Sequence, residues 1–426
     1  MRSSRTRPAT LVRLCWFLLT ALAVCALACG PAPEVLTFSG SVLGVEGAIV
    51  RRQIERFAML HPELPVDVRA TPDSADARHQ LYVQWLNAWS PQPDVLQLDV
   101  IWTPEFAAAG WILPLDRFAP DTDDFFPATI AANRWQGRLF AMPWLVDVGM
   151  LYWRTDLLSG PPATFDELAT SVRSQLSRGT VSQGLVWQGA RYEGLVCVFL
   201  EYLTAFGGQI LDDDGAVVVD SPEAVRALTF MRQSIADGVV PRSVLTWQEE
   251  QTRFAFQNGN ALFLRNWPYA ASLMNEKDAV VRNRFAVASM PSSGGRPAAA
   301  LGGAQLAINA RSRHAASAWR LIEYLTAPAQ LIERAHATGQ FPARPSLYAA
   351  DTLADALPVP PDDARRIIDK AIPRPVTPVY TELSGELQIH LHRALTDQER
   401  PDEALAVAAS QLRSILRRAR LDGGRR

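Results

Sequence analysis

From residue 35 to residue 99 short β-rich runs alternate with segments of helical spacing. Val35-Leu36-Thr37-Phe38-Ser39 reads as a strand, after which Val50, Ile54 and Phe57 share one helical face. Pro65-Val66-Asp67-Val68-Arg69 alternates as a second strand, Leu81, Trp85 and Ala88 mark the next helix, and Val95-Leu96-Gln97-Leu98 reads as a third strand ending at Asp99. Parallel neighbours need a long crossover, which a helix supplies, so this alternation confines the chain to an α/β architecture with a largely parallel sheet. Such sheets take ligands beyond the carboxyl ends of their strands. Residues 39–47, 71–78 and 99–104 are therefore where a site is expected.

A second block begins after Ala141-Met142-Pro143-Trp144, with Val148 to Trp153 strand-like. Thr164-Phe165-Asp166-Glu167 and Ser221-Pro222-Glu223 have the form of helix starts, the first with acidic residues in its first turn and the second with proline at its first position. Asp212-Asp213-Asp214-Gly215 has the composition of a calcium loop but lacks the later ligands, and a hairpin turn is the expectation. Residues 291–297 form a Gly/Ser/Pro segment. Leu301-Gly302-Gly303-Ala304-Gln305-Leu306-Ala307-Ile308 then reads as a strand entered through a close-packed glycine pair. Helical patterns cover residues 315–325, 363–370 and 401–416.

The N-terminus says where this fold must work. Arg2, Arg5, Arg7 and Arg13 lead into an apolar run from Leu14 to Ala28, too short to span a membrane and suited to a signal-peptide core. It stops at Ala28-Cys29-Gly30, the small-residue-then-cysteine pattern of a bacterial lipoprotein, although Ala26 stands where such boxes usually have leucine. The expectation is a signal over residues 1–28, a lipidated Cys29, and a short stiff linker to residue 33. Of the four cysteines, only Cys197 then remains in the fold, which excludes an internal disulfide framework, and its apolar surroundings point to a buried thiol. A net charge of −2, with no basic block outside the signal and the tail, argues against nucleic acid as a partner.

The sequence has no Gly-x-Ser-x-Gly elbow, His-Glu-x-x-His or phosphate-cradling loop, its histidines lack metal-ligand spacing, and neither cofactor nor metal is implied. Aromatic residues beside charges in expected loops stand out instead: Asp99 to Trp102, Trp144 to Asp147, Trp187 to Glu193, and Arg265 to Tyr269. This mixture suits a carbohydrate, whose C–H faces pack on rings while its hydroxyls take paired hydrogen bonds from carboxylates and arginines. Each such pair, taken singly, also has a plain reading as core tryptophan and turn-capping aspartate.

Five stretches resemble the extracellular solute-binding proteins of carbohydrate ABC transporters, the trehalose/maltose-binding type in particular. They are Asp94 to Phe106 with Gly110 to Asp116, Phe140 to Arg154, Gly184 to Cys197, Asn260 to Ala270, and Ile372 to Tyr380. The resemblance implies a periplasmic-binding-protein-like fold of two α/β lobes with a hinge near residues 143–146 and a sugar held in the cleft between them. Its chain order implies one lobe of residues 34–144 plus 304–342 and another of 145–303 plus 343–426. Its sugar-binding positions fall on Glu46, Arg78, Asp99, Asp147, Trp267, Tyr269, Gly302, Gly303 and Arg344. It further implies a monomer outside the cytoplasm, tethered through lipid, that delivers a disaccharide or related glycoside to membrane permease subunits. Two alternatives remain at this stage, a surface-anchored glycoside-cleaving enzyme and a sugar-sensing binding subunit. In two places the chain departs from the subgroup: Ala304 follows the glycine pair where tryptophan is usual, and Leu145 replaces an aromatic near Asp147. Either the ligand preference has shifted, or Trp102 or Trp144 fills the same space.

Overall fold

The computed structural model describes residues 35–41, 44–72, 74–293, 299–349 and 351–423. The signal, Cys29, the linker and part of the Gly/Ser/Pro segment lie outside them. Among the described residues the strands are β1 (Leu36–Gly40), β2 (Val66–Ala70), β3 (Val95–Asp99), the two-stranded ribbon β4 (Arg134–Trp135) and β5 (Arg138–Leu139), β6 (Ala141–Val148), β7 (Met150–Arg154), β8 (Gln183–Val186), β9 (Ala261–Asn266), β10 (Phe285–Ala288), β11 (Leu301–Ile308) and β12 (Phe341–Pro342).

A first sheet runs β12-β6-β11-β3-β1-β2, with β1 parallel to β2 and β3, and β11 antiparallel to both β3 and β6. A second sheet runs β10-β7-β9-β8. The first helix, Gly44–Leu60, buries Val50, Ile54 and Phe57 as its period requires. The second, Ala75–Asn87, turns by one residue from the expected face: His79, Tyr82 and Leu86 are buried, whereas Leu81 and Trp85 are half-buried and Ala88 is exposed. The Tyr82 hydroxyl explains the rotation, since it reaches in to donate to the Ser39 carbonyl at 3.0 Å. Thr164 and Ser221 cap their helices, accepting from Glu167 N and Ala224 N. The Asp212–Gly215 turn closes a small hairpin in which Asp212 Oδ1 accepts from the Asp214 and Ala216 amides.

The lobe boundaries differ from expectation. Leu145 to Val148 and Leu301 to Gly303 stay paired within the first sheet, so the chain crosses at Gly149 and just before Leu301, not at 144/145 and 303/304. The third crossing is also later than 342/343. His336 still bonds the Thr352 carbonyl and helix Pro361–Asp369 still packs on β6, while helix Tyr380–Leu395 packs on helix Glu193–Ala205 of the second lobe. Gly149 is required where it stands: a Cβ there would meet Glu201 Oε1 at 1.7 Å and Arg265 Nη2 at 2.5 Å. Gly303 combines φ +126° with a Cβ position 2.3 Å from the Leu145 carbonyl, so the close-packed glycine entry to β11 also has a steric cause.

Candidate functional site

A cleft of about 640 Å³ lies where the carboxyl end of the first sheet faces the second lobe. Its size falls within the usual range for small-molecule sites. One wall is built from strand ends: Asp99 closes β3, Asp147 sits near the end of β6, and Gly302, Gly303 and Ala304 open β11. Glu46 and Arg78 join them from the first turns of the two helices that follow β1 and β2. The facing wall presents Tyr192 and Glu193 at one helix start, Glu249 and Glu250 at another, and Trp267 and Tyr269 just past β9.

Most of the sequence-derived candidates meet here. Glu46, Arg78, Asp99, Asp147, Trp267, Tyr269, Gly302 and Gly303 all line the cleft. Arg344 does not. Its Nε donates to the Thr326 carbonyl at 2.9 Å, its Nη1 lies 3.6 Å from Asp124 Oδ2, and its guanidinium covers the Phe125 ring at 4.1 Å. It ties loops of the first lobe together, being carried there by β12 at the sheet edge. The arginine that does reach the cleft is Arg374, whose Nη2 donates to Asp99 Oδ1 at 3.1 Å and Nη1 to Glu193 Oε1 at 2.8 Å.

The cleft side chains are held in place by one another. The Trp267 ring lies 4.0 Å from the Arg265 guanidinium, and its Nε1 donates to Glu249 Oε1 at 3.3 Å. Arg265 is itself locked by Glu201 and Gln188, all three buried. The Tyr269 hydroxyl donates to Glu250 Oε1 at 2.9 Å, and Gln340 Nε2 donates to Glu46 Oε1. Asp147 is different: its Oδ1 is buried without a hydrogen-bond partner. Burial first, and then the Glu46 and Asp99 charges, push its carboxyl up to about 7, against the pull of Arg334 and Arg265. Burial and Glu193 likewise raise Asp76 to about 6. Cys197 is a free, buried thiol pushed up to about 12 by burial, which makes it unreactive.

Neither Trp102 nor Trp144 fills the space beside Ala304. Both are buried in the first lobe, where they carry the Arg78 and Arg334 guanidiniums at 5.4 and 4.1 Å. Among the described residues the aromatic lining (Tyr192, Trp267 and Tyr269) comes wholly from the second lobe, and the opposite wall offers Leu145 and Ala304 between Asp99 and Asp147. Sequence reasoning passed over Arg374, Glu193 and Glu249. The first two had a signal, since they fall inside the stretches Ile372 to Tyr380 and Trp187 to Glu193. Glu249 had none.

Two lobes, three crossings and a polar–aromatic cleft between them define a ligand-capturing binding protein. A sequence model of the bacterial extracellular solute-binding proteins matches residues 54–360, and a probable ABC transporter-binding protein of Deinococcus radiodurans is 35% identical over 358 residues, 81% of this chain and 85% of its own. The chain belongs to the bacterial extracellular solute-binding proteins, and so acts outside the cytoplasm as a binding protein and not as an enzyme. The structure of T. maritima MalE3 with bound maltose is similar with a TM-score of 0.85 and 40% identity, over 90% of this chain and 100% of that one. The GacH receptor of Streptomyces glaucescens shares the fold, with a TM-score of 0.82 at 22% identity over 91% and 99% of the two chains.

Proposed function

We propose that the chain is the solute-capturing subunit of an ABC sugar importer, and that its ligand is a disaccharide or related glycoside of the maltose/trehalose kind. The observation that carries this reading is the cleft's pairing of hydroxyl-binding groups on one lobe, Asp99, Asp147 and Arg78, with the Trp267 stacking face on the other. The maltose held by the T. maritima relative supports it. A sugar touching both walls binds the closed form better than the open one, which is what drives closure. Permease subunits are the partners that receive the loaded form.

Titration against trehalose, maltose, sucrose and related glucosides, followed by tryptophan fluorescence and thermal shift, tests the reading. At least one sugar is expected to saturate the signal, and at a thousandfold excess over Kd to add about 4 kcal/mol of apparent stability. Silence of both readouts across the panel overturns it.

The one-sided aromatic lining supports a second moiety that is bulkier than a flat-stacked pyranose and lies along Leu145 and Ala304. Ala304→Trp is then expected to lower affinity for the best ligand of the panel about tenfold, while maltose or trehalose loses less or gains, as measured by calorimetry. An unchanged order of preference counts against it. For the tether, the reading is a lipid on Cys29, and Cys29→Ser is expected to move the protein from the membrane fraction to the soluble one.

A further inference from the structure

Among the described residues, two hydrogen bonds join the lobes at the cleft edges, the first outside the ligand-lining surface and the second between residues that line it. Thr381, in the first turn of helix Tyr380–Leu395 of the second lobe, donates from Oγ1 to Glu105 Oε2 at 2.7 Å. Glu105 belongs to helix Thr103–Ala108 of the first lobe, directly after β3. The same oxygen lies 2.9 Å from His79 Nε2. His79 is buried against the Trp102 and Phe106 rings and is the chain neighbour of cleft-lining Arg78, whose guanidinium lies over that same Trp102. The second contact is Ser272 Oγ to the Thr338 carbonyl at 3.2 Å. It involves a first-lobe helix packed in the core on the other side of the first sheet from Phe106, so the two contacts hold the lobes from opposite faces.

We propose that Glu105 is a closure latch, with His79 and Thr381 as positioning residues that set how long a captured ligand stays, without touching it. His79 fixes the Glu105 carboxylate from one side, which leaves the same oxygen aimed at the other lobe. Thr381 meets it only when the lobes are together, because the two helices share no lobe. The contact therefore adds free energy to the closed state alone, and that is the condition for shifting a two-state equilibrium. The coupling to ligand runs through the Trp102 ring, which supports both His79 of the latch and Arg78 of the cleft. This inference rests on the sugar-capture reading for its kinetic arm only.

The test uses Thr381→Val, which keeps shape and loses the hydroxyl, and Thr381→Ser, which restores it. With the best sugar of the panel, Thr381→Val is expected to raise the dissociation rate about fivefold and leave the association rate within twofold. Thr381→Ser is expected to return both to the parent values. A ligand-independent arm places spin labels at Glu55→Cys and Thr170→Cys, exposed helix positions on the two lobes. The short-distance population is expected to fall by half or more in Thr381→Val and to recover in Thr381→Ser. A distance distribution identical in all three proteins overturns the latch, as does an unchanged dissociation rate. Were no sugar to bind any of them, the capture reading would fail, while the distance arm would still decide the latch.

Discussion

Asp147→Asn is expected to weaken sugar binding about 100-fold and, in the same protein, to raise thermal stability above pH 7. The two effects have one cause. Asp147 Oδ1 is buried in the cleft with no hydrogen-bond donor, beside Glu46 and Asp99. A sugar hydroxyl supplies that donor, and a hydrogen bond to a charged acceptor contributes about 1.5–3 kcal/mol, of which 2.7 kcal/mol is a factor of about 100. Without ligand the carboxylate is a liability. Its folded-state value of about 7 lies above the ordinary 3.8, so the folded protein holds the proton more tightly than the unfolded chain does. Stability from this group is present below pH 3.8, is lost as pH rises towards 7, and stays lost above it. Asparagine removes that loss, because it carries no charge to bury beside Glu46 and Asp99. Calorimetry is therefore expected to show the variant more stable by about 1 kcal/mol or more at pH 8 and nearly equal to the parent at pH 4. For the parent protein, affinity falls as pH drops below 7, approaching tenfold per unit, because the hydroxyl must displace a proton. Equal affinities at pH 5.5 and 8, or a variant less stable at pH 8, would refute this account.

The contrast between Arg344 and Arg374 shows where sequence stops being readable. Both arginines stand next to proline, Arg344-Pro345 and Pro373-Arg374-Pro375, late in the chain. Local pattern gives no reason to prefer one. What separates them is long-range: Arg344 is carried by an edge strand of the first sheet and turned towards Asp124, whereas Arg374 lies on a crossing between lobes. Asp99 and Asp147 were legible for the opposite reason, since a strand's end is set locally and the site of an α/β sheet lies at strand ends. Trp267 was legible from its charged neighbours, and Arg265 does support its ring. Leu81 and Trp85 misled because a hydrophobic period cannot register that the Tyr82 hydroxyl has a buried acceptor. The first two lobe limits failed by a few residues for a similar reason, while the third lies some thirty residues later than expected. Strands β6 and β11 pair with each other right up to the crossing, and apolar runs do not show which sheet a strand joins.

Removal of the Arg374 side chain is also expected to cost heavily in stability. Its guanidinium is buried and joins Asp99 of the first lobe to Glu193 of the second, with side-chain exposures of 3%, 19% and 8% respectively. Deleting one partner of such a buried network leaves the others charged without compensation, a loss of about 3–5 kcal/mol. Glu193 would keep its bonds from the Tyr380 and Ser384 hydroxyls and its place in the first turn of a helix, which favours a negative charge. Among the described residues, Asp99 keeps the Ile101 amide at 3.2 Å and the company of Asp147. Arg374→Leu is therefore expected to lose about 3 kcal/mol in urea denaturation, with the greater strain falling on Asp99. Adding Asp99→Asn to Arg374→Leu removes the stranded charge and is expected to recover about 1.5 kcal/mol, whereas Asp99→Asn alone destabilises. The cycle separates this from a packing effect, because a cavity left by the arginine would be equally costly with either residue at position 99. Additive losses, with no recovery in the double variant, would mean that Arg374 acts through packing and that the Asp99–Arg374–Glu193 bridge contributes nothing to holding the lobes in register.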